Sequence, residues 1–127
     1  MPTGGPMPDF DAWDVVKVPF PYTGRPVRQR RPAVVLAVSG VQEAHGLLWV
    51  LMVTSAENRS WADDVAVSDL TQAGLPAPSI VRTAKIATIE AKEAELIGTL
   101  PAADRSKVAE HLRRVLSSVM AQRRRQD

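Results

Sequence analysis

Between Val15 and Gln42 the sequence carries Lys17, Arg25, Arg28, Arg30 and Arg31 and no Asp or Glu. A stretch of one sign makes a local positive field, and the planar fork of arginine binds phosphate oxygens in pairs. Phosphate binding or phosphoryl chemistry is therefore the first function these residues permit. Taken alone, a charge run reads as a solvated loop, so its setting has to decide. A second cluster, Arg123-Arg124-Arg125, reads as a frayed, solubilising helix end.

Other chemistries find little support. The sequence holds no glycine-rich phosphate loop, nucleophile elbow or zinc-protease helix. Without cysteine there is no disulfide, thiolate metal site or thiol nucleophile. His45 and His111 are far apart in sequence and read as surface residues, the first at a hairpin tip and the second on the polar side of the last helix. Asp63-Asp64 lacks partners at metal-binding spacing and reads as a loop pair facing solvent. Any phosphoryl chemistry is thus expected to proceed without metal. Tyr22 and Trp61, in expected loops, are candidates to stack on unpaired bases, whereas Phe20 and Trp13 are as readily core.

These residues need a scaffold, and the first two thirds of the chain predict short strands. Val15-Val16-Lys17-Val18 is β-branched and ends at Pro19. The segment from Phe20 to Pro26 is loop by its Pro and Gly. The apolar runs Ala33 to Val38 and Leu48 to Val53 are expected to pair as a hairpin across a turn at Gly40 to Gly46. Short strands follow around Val65 to Val67, Ser79 to Arg82, Ile86 to Ile89 and Leu96 to Gly98, with an irregular Gly74-Leu75-Pro76-Ala77-Pro78 between. Strands at this spacing predict a compact barrel. The end is helical, with Val108, Leu112, Val115, Leu116 and Val119 on one stripe, read as core packing. Pro101 suits the first helical turn and Asp104 the positive dipole end.

With 127 residues, 45% hydrophobic and 24% charged, the chain is an ordinary globular one of a single domain. We assign residues 1–12 to a disordered leader, 13–121 to the domain and 122–127 to a basic tail. The N-terminus lacks the pattern of a signal peptide, and the run Leu47 to Val53 is too short to span a bilayer. A soluble protein is expected, and the lack of cysteine is compatible with the cytoplasm.

Five segments in order resemble the PemK/MazF toxins. Asp14 to Thr23 looks like their first strand and loop, and Arg31-Pro32-Ala33-Val34-Val35-Leu36 is similar to their Arg-Pro-Ala-Val-Val-Leu strand. Val53-Thr54-Ser55 matches the strand end where they place a threonine. Gly74 to Arg82 with Lys85 to Ile89, and then Gly98-Thr99-Leu100 with a terminal helix, complete the order. The resemblance runs from about Trp13 to Val119. It implies a mainly β protein with a C-terminal helix (α+β), an SH3-like small barrel of the CcdB/PemK/MazF type. It also implies a homodimeric endoribonuclease without cofactor, cutting single-stranded RNA, often mRNA, and silenced by a cognate antitoxin.

Carried over residue by residue, the resemblance gives Arg31, Thr54 and Arg82 catalytic roles. Tyr22, Arg25, Arg28, Arg30, Ser55, Trp61 and Lys85 are the expected RNA contacts. Ala84 stands where the PemK branch has the aspartate proposed as general base, so the proton acceptor is unassigned. Toxins of the same barrel type that poison DNA gyrase supply one alternative. A degenerate member that binds RNA without cutting it supplies another.

Overall fold

The computed structural model describes residues 10–20, 29–36, 39–58 and 60–121. Tyr22, Arg25, Arg28, most of the expected leader and the basic tail lie outside them. Among the described residues, six strands and three helices follow in the order β1 (Asp14–Phe20), β2 (Gln29–Leu36), α1 (Ser39–His45), β3 (Leu47–Ser55), β4 (Asp64–Ala66), α2 (Leu70–Ala73), β5 (Ser79–Glu90), β6 (Glu95–Thr99) and α3 (Ala102–Met120). A 3-10 turn over Ala91–Glu93 joins β5 to β6.

The strands form one sheet in the order β4-β5-β3-β2-β1-β6, with every neighbour antiparallel. Both faces are covered, which is why the central strands read as uninterrupted apolar runs rather than alternating ones. One face carries Val15, Val34, Leu51, Val53 and Val81 under Leu100 and Val108. The other carries Val16, Val18, Ala33, Val35, Val50 and Met52, with Phe10 and Ile89 packed against them. Each such buried aliphatic side chain contributes about 1.5–3 kcal/mol.

The mainly β, α+β class with a C-terminal helix is as expected, but the closed barrel is not. The sheet is open among the described residues, because β4 and β6 end it without pairing to each other. The β2–β3 pair forms as expected, aligning Ala33 with Met52 and Leu36 with Trp49. Its connection is a helix rather than a turn, since α1 occupies Ser39–His45. The side-chain amide of Gln42 exchanges two hydrogen bonds with the backbone of Phe10, accepting from its amide and donating to its carbonyl, so the chain is already packed before residue 13. β1 continues through Pro19, beyond the expected stop. Pairing with β6 has ended at Lys17, so past it one side of β1 is an edge, where proline is tolerated.

β5 is continuous in chain but interrupted in register. Met52 pairs with Arg82 and the preceding Leu51 with Ile86, so Thr83, Ala84 and Lys85 bulge out of the ladder. The buried hydroxyl of Thr83 donates to the Asp63 carbonyl oxygen at 2.7 Å and pins the bulge to the start of β4. Asp63 and Asp64 are not the solvent-facing pair expected. Asp63 accepts from Arg114 at 3.2 Å and lies 3.6 Å from His111 Nδ1, and Asp64 faces inward against Arg82.

α3 begins after Pro101, which occupies the N-cap position itself. Asp104 does more than complement the dipole: it is 1% exposed and accepts from the Ser68 amide at 2.8 Å and the Ser68 hydroxyl at 3.1 Å. The apolar stripe is core only in its first half. Val108 is buried, whereas Leu116 is 46% and Val119 62% exposed, because the helix outruns the sheet it packs on. No helix among the described residues is long and apolar enough to cross a membrane.

Candidate functional site

A groove of about 510 Å³ opens where β1, β2 and β3 meet the segment from Leu70 to Ser79. Its lining includes Lys17, Arg31, Pro32, Val53, Thr54, Ser55, Leu75, Pro76, Pro78 and Ile97. Strand alternation assigns Arg31 and Thr54 to the face of Ala33 and Met52, and Lys17, Pro32 and Ser55 to the face of Val15 and Val34. Both pleats therefore contribute to this rim. Carrying the β2–β3 register two places past Ala33 and Met52 sets Arg31 opposite Thr54.

The hydroxyls sit at a tight turn that follows β3. Asn58 Nδ2 donates to Thr54 Oγ1 at 2.5 Å. The Glu57 amide donates to Ser55 Oγ at 3.1 Å, and the Ala56 amide to the Pro78 carbonyl at 2.9 Å. With one lone pair of Thr54 engaged by Asn58, its own proton is left to donate elsewhere. Arg31 Nη2 donates to Gln29 Oε1 at 3.1 Å, two residues along its own strand.

The opposite wall is held by backbone. Gly74 ends α2 at φ +73°, where its amide closes the turn onto the Leu70 and Thr71 carbonyls. A Cβ on Gly74 would stand 1.9 Å from the Ile97 carbonyl oxygen, and one on Gly98 would stand 2.3 Å from the Ala73 carbonyl carbon. Only two glycines let α2 and β6 approach so closely, and that contact fixes the wall formed by Leu75, Pro76 and Pro78.

The groove thus unites Arg31, Thr54 and Ser55 but not the other expected contacts. Arg30 is turned to the far edge, where Nη2 lies 3.3 Å from Glu95 Oε1 and 3.3 Å from the Lys17 carbonyl. Arg82 is 8% exposed and bound to Asp64 through Nε and Nη2, with its guanidinium carbon 4.0 Å from the centre of the Trp61 ring. The Trp61 amide donates to the same Asp64 carboxylate at 2.7 Å, and its ring remains 46% exposed. Lys85 lies in the β5 bulge, beside Ala84. None of Arg30, Trp61, Arg82 and Lys85 belongs to the groove lining.

Asn58, which holds the Thr54 hydroxyl, and Asp64, which holds Arg82, are partners that sequence reading missed, while Lys17 was noted only as part of the basic run. Lys17 had a weak signal, being the one charged residue in the β1 run from Val15 to Val18. Among the described residues, no group of three or more acidic or histidine side chains is placed to hold a metal ion.

An antiparallel sheet capped by a C-terminal helix, with an arginine and a threonine lining one groove from adjacent strands, defines a small α+β domain with a phosphate-suited rim. The sequence profile of the family described as PemK-like, MazF-like toxin of type II toxin–antitoxin systems matches residues 11–116, and the chain belongs to that family. It is a type II toxin by that membership.

Solved structures agree on the fold. A crystal structure of MazF from Deinococcus radiodurans is similar at a TM-score of 0.67 and 24% identity, covering 86% of this chain and 99% of that one. The Mycobacterium tuberculosis toxin MazF-mt6 gives 0.64 and 22%, covering 82% and 96%. An endoribonuclease in complex with its cognate antitoxin, from a mycobacterial species, gives 0.64 and 16%, covering 84% and 93%. No curated protein matches the sequence.

Proposed function

We propose that this toxin is a metal-independent, sequence-selective endoribonuclease acting on single-stranded RNA, mRNA included. The observation that carries the reading is one groove lined by Arg31, Thr54 and Lys17 and, among the described residues, by no carboxylate, so that its field suits a polyanion. In the reaction the ribose 2′-oxygen bonds to the adjacent phosphorus and the bond from phosphorus to the 5′-oxygen breaks. The products are a 2′,3′-cyclic phosphate and a 5′-hydroxyl. Arg31 balances the charge that gathers on the phosphoryl oxygens, and the Thr54 hydroxyl donates to one of them. A base must take the 2′-proton and an acid must return one to the leaving oxygen.

Similar toxins crystallise as MazE–MazF complexes, which supports a cognate antitoxin here as well. We take the working form to be a homodimer in the cytoplasm, where mRNA is found. Exposed Leu116, Val119 and Met120 at the end of α3 are compatible with such an interface.

The test is incubation of the purified protein with mixed-sequence RNA in EDTA, followed by mapping of the ends. Cyclic-phosphate ends are expected, with Arg31→Ala slower by at least about 10²-fold, the size of one oxyanion contact. A loss below about threefold would remove Arg31 from the mechanism.

A second reading, an RNA-binding member that does not cut, is favoured by one specific observation. Among the described residues, the groove lining holds neither histidine nor carboxylate to accept the 2′-proton. Intact RNA with retained binding would establish it. Intact RNA with inhibited DNA supercoiling would point to a gyrase poison instead.

A further inference from the structure

We infer that Lys17 is a second phosphate-binding group, which holds the phosphodiester one nucleotide away from the phosphate at Arg31. The inference rests on the ribonuclease reading and adds a contact that the sequence comparison did not supply.

Lys17 lies on β1 opposite Pro32, and its neighbour Val18 lies opposite Arg31. One residue step along a strand and one strand spacing across it separate the two cations by about 6 Å at the backbone. Both line the groove but leave the sheet from opposite pleats, so the two side chains diverge from the shared rim instead of converging on one point. A single phosphate is poorly placed to use both, whereas successive phosphates of one strand can each take one.

The local ion pairing keeps Lys17 available. The carboxylate that faces it in register is Glu95 on β6. That carboxylate is instead engaged by Arg30 at 3.3 Å, and Arg30 also binds the Lys17 carbonyl. Glu95 is thus engaged elsewhere, Lys17 makes no ion pair among the described residues, and its side chain is exposed. A solvated ammonium beside an arginine raises the repulsion between them, and an anion in the groove relieves it. A lysine suits this role, because a flexible point charge can follow a neighbouring phosphate while the arginine fork fixes the first.

The test uses a 2′-O-methyl oligonucleotide, which cannot be cut, and measures its affinity from about 50 to 200 mM salt. Each phosphate contact on a single strand contributes a slope of about −0.7 in log K against log salt. Lys17→Ala is expected to flatten the slope by about 0.7, and Lys17→Arg to restore it. Lys92→Ala, an equal loss of charge on the 3-10 turn, is expected to keep the wild-type slope. Thermal melts of each variant exclude unfolding as the cause.

If the wild-type protein binds and Lys17→Ala keeps the wild-type slope, Lys17 is not a phosphate ligand and the ribonuclease reading stands untouched. A flattening as large in Lys92→Ala would also overturn it, by showing a general charge effect. Should the wild-type protein bind no RNA, the reading of the groove falls, and this inference with it.

Discussion

The carboxylate of Asp64 grips the guanidinium of Arg82 in two parallel hydrogen bonds, Nε to Oδ1 at 3.1 Å and Nη2 to Oδ2 at 3.0 Å. The Arg82 and Asp64 side chains are 10% and 7% exposed, so the pair is nearly dry. They face each other across the β4–β5 ladder, and Trp61 lies over the cation. Arg82 therefore holds a strand edge and an aromatic ring together, and its charge is neutralised where it stands.

Removing one partner of a buried ion pair strands the other charge, at about 3–5 kcal/mol. Asp64→Asn is expected to lower stability by about 3 kcal/mol in urea melts. Replacing both residues by apolar ones of similar volume is expected to restore most of that loss. Arg82→Ala should lose activity only in step with stability. A variant that folds normally yet cleaves at least about 10²-fold more slowly would return Arg82 to the chemistry.

The hydroxyl of Thr54 is the second handle on the groove. Thr54→Val keeps the shape and removes the donor, and a hydrogen bond to a charged phosphate is worth about 1.5–3 kcal/mol. A rate lower by about 10- to 100-fold is expected, with Thr54→Ser near wild type. Asn58→Ala frees the hydroxyl to rotate and should show a smaller loss than Thr54→Val. Equal rates for Thr54→Val and wild type would dismiss the threonine.

Gly74 and Gly98 test the wall. Gly74→Ala places a Cβ against the Ile97 carbonyl and in a left-handed conformation that alone costs about 1–2 kcal/mol. A total of at least about 2 kcal/mol is expected, or a melting point lower by roughly 8 °C. Gly98→Ala meets the same backbone from the other side and should be comparably harmful. A melting point unchanged in both would mean that the contact yields easily.

Asp104 makes an independent prediction for α3. Asp104→Ala removes the charged acceptor shared by the amide and hydroxyl of Ser68, at about 1.5–3 kcal/mol. Asp104→Asn keeps one acceptor oxygen and should cost less. Denaturant midpoints for the two variants, with equal slopes, check the order.

The strands were legible because burial on both faces writes itself as an unbroken apolar run, as in Leu48 to Val53. That Arg31 and Thr54 share one groove was legible because they sit at the ends of such runs, where a motif can be matched in order. What escaped depends on tertiary contact. Ser39–His45 has a glycine and β-branched Val41 in a seven-residue helix. Nothing local predicts it, and its packing on Phe10 is a distant contact. The open sheet follows from two edges that never meet, which no local pattern records.

Arg82 marks the other limit. Its sequence neighbours match a functional motif, yet its partner Asp64 lies eighteen positions earlier, and charge alone cannot announce a pairing across strands. Lys17 is the converse, since its role depends on Glu95 being engaged by Arg30.

The three-residue bulge of β5 carries a consequence for descent. Ala84 sits in it, exposed and outside the strand ladder, at the place where the resemblance puts a proton acceptor. Neither the register of β5 with β4 and β3 nor the packed core depends on that side chain. A lineage could therefore shed its base, or regain one by a single substitution to aspartate, without remaking the scaffold. The architecture is thus indifferent to which residue stands at position 84.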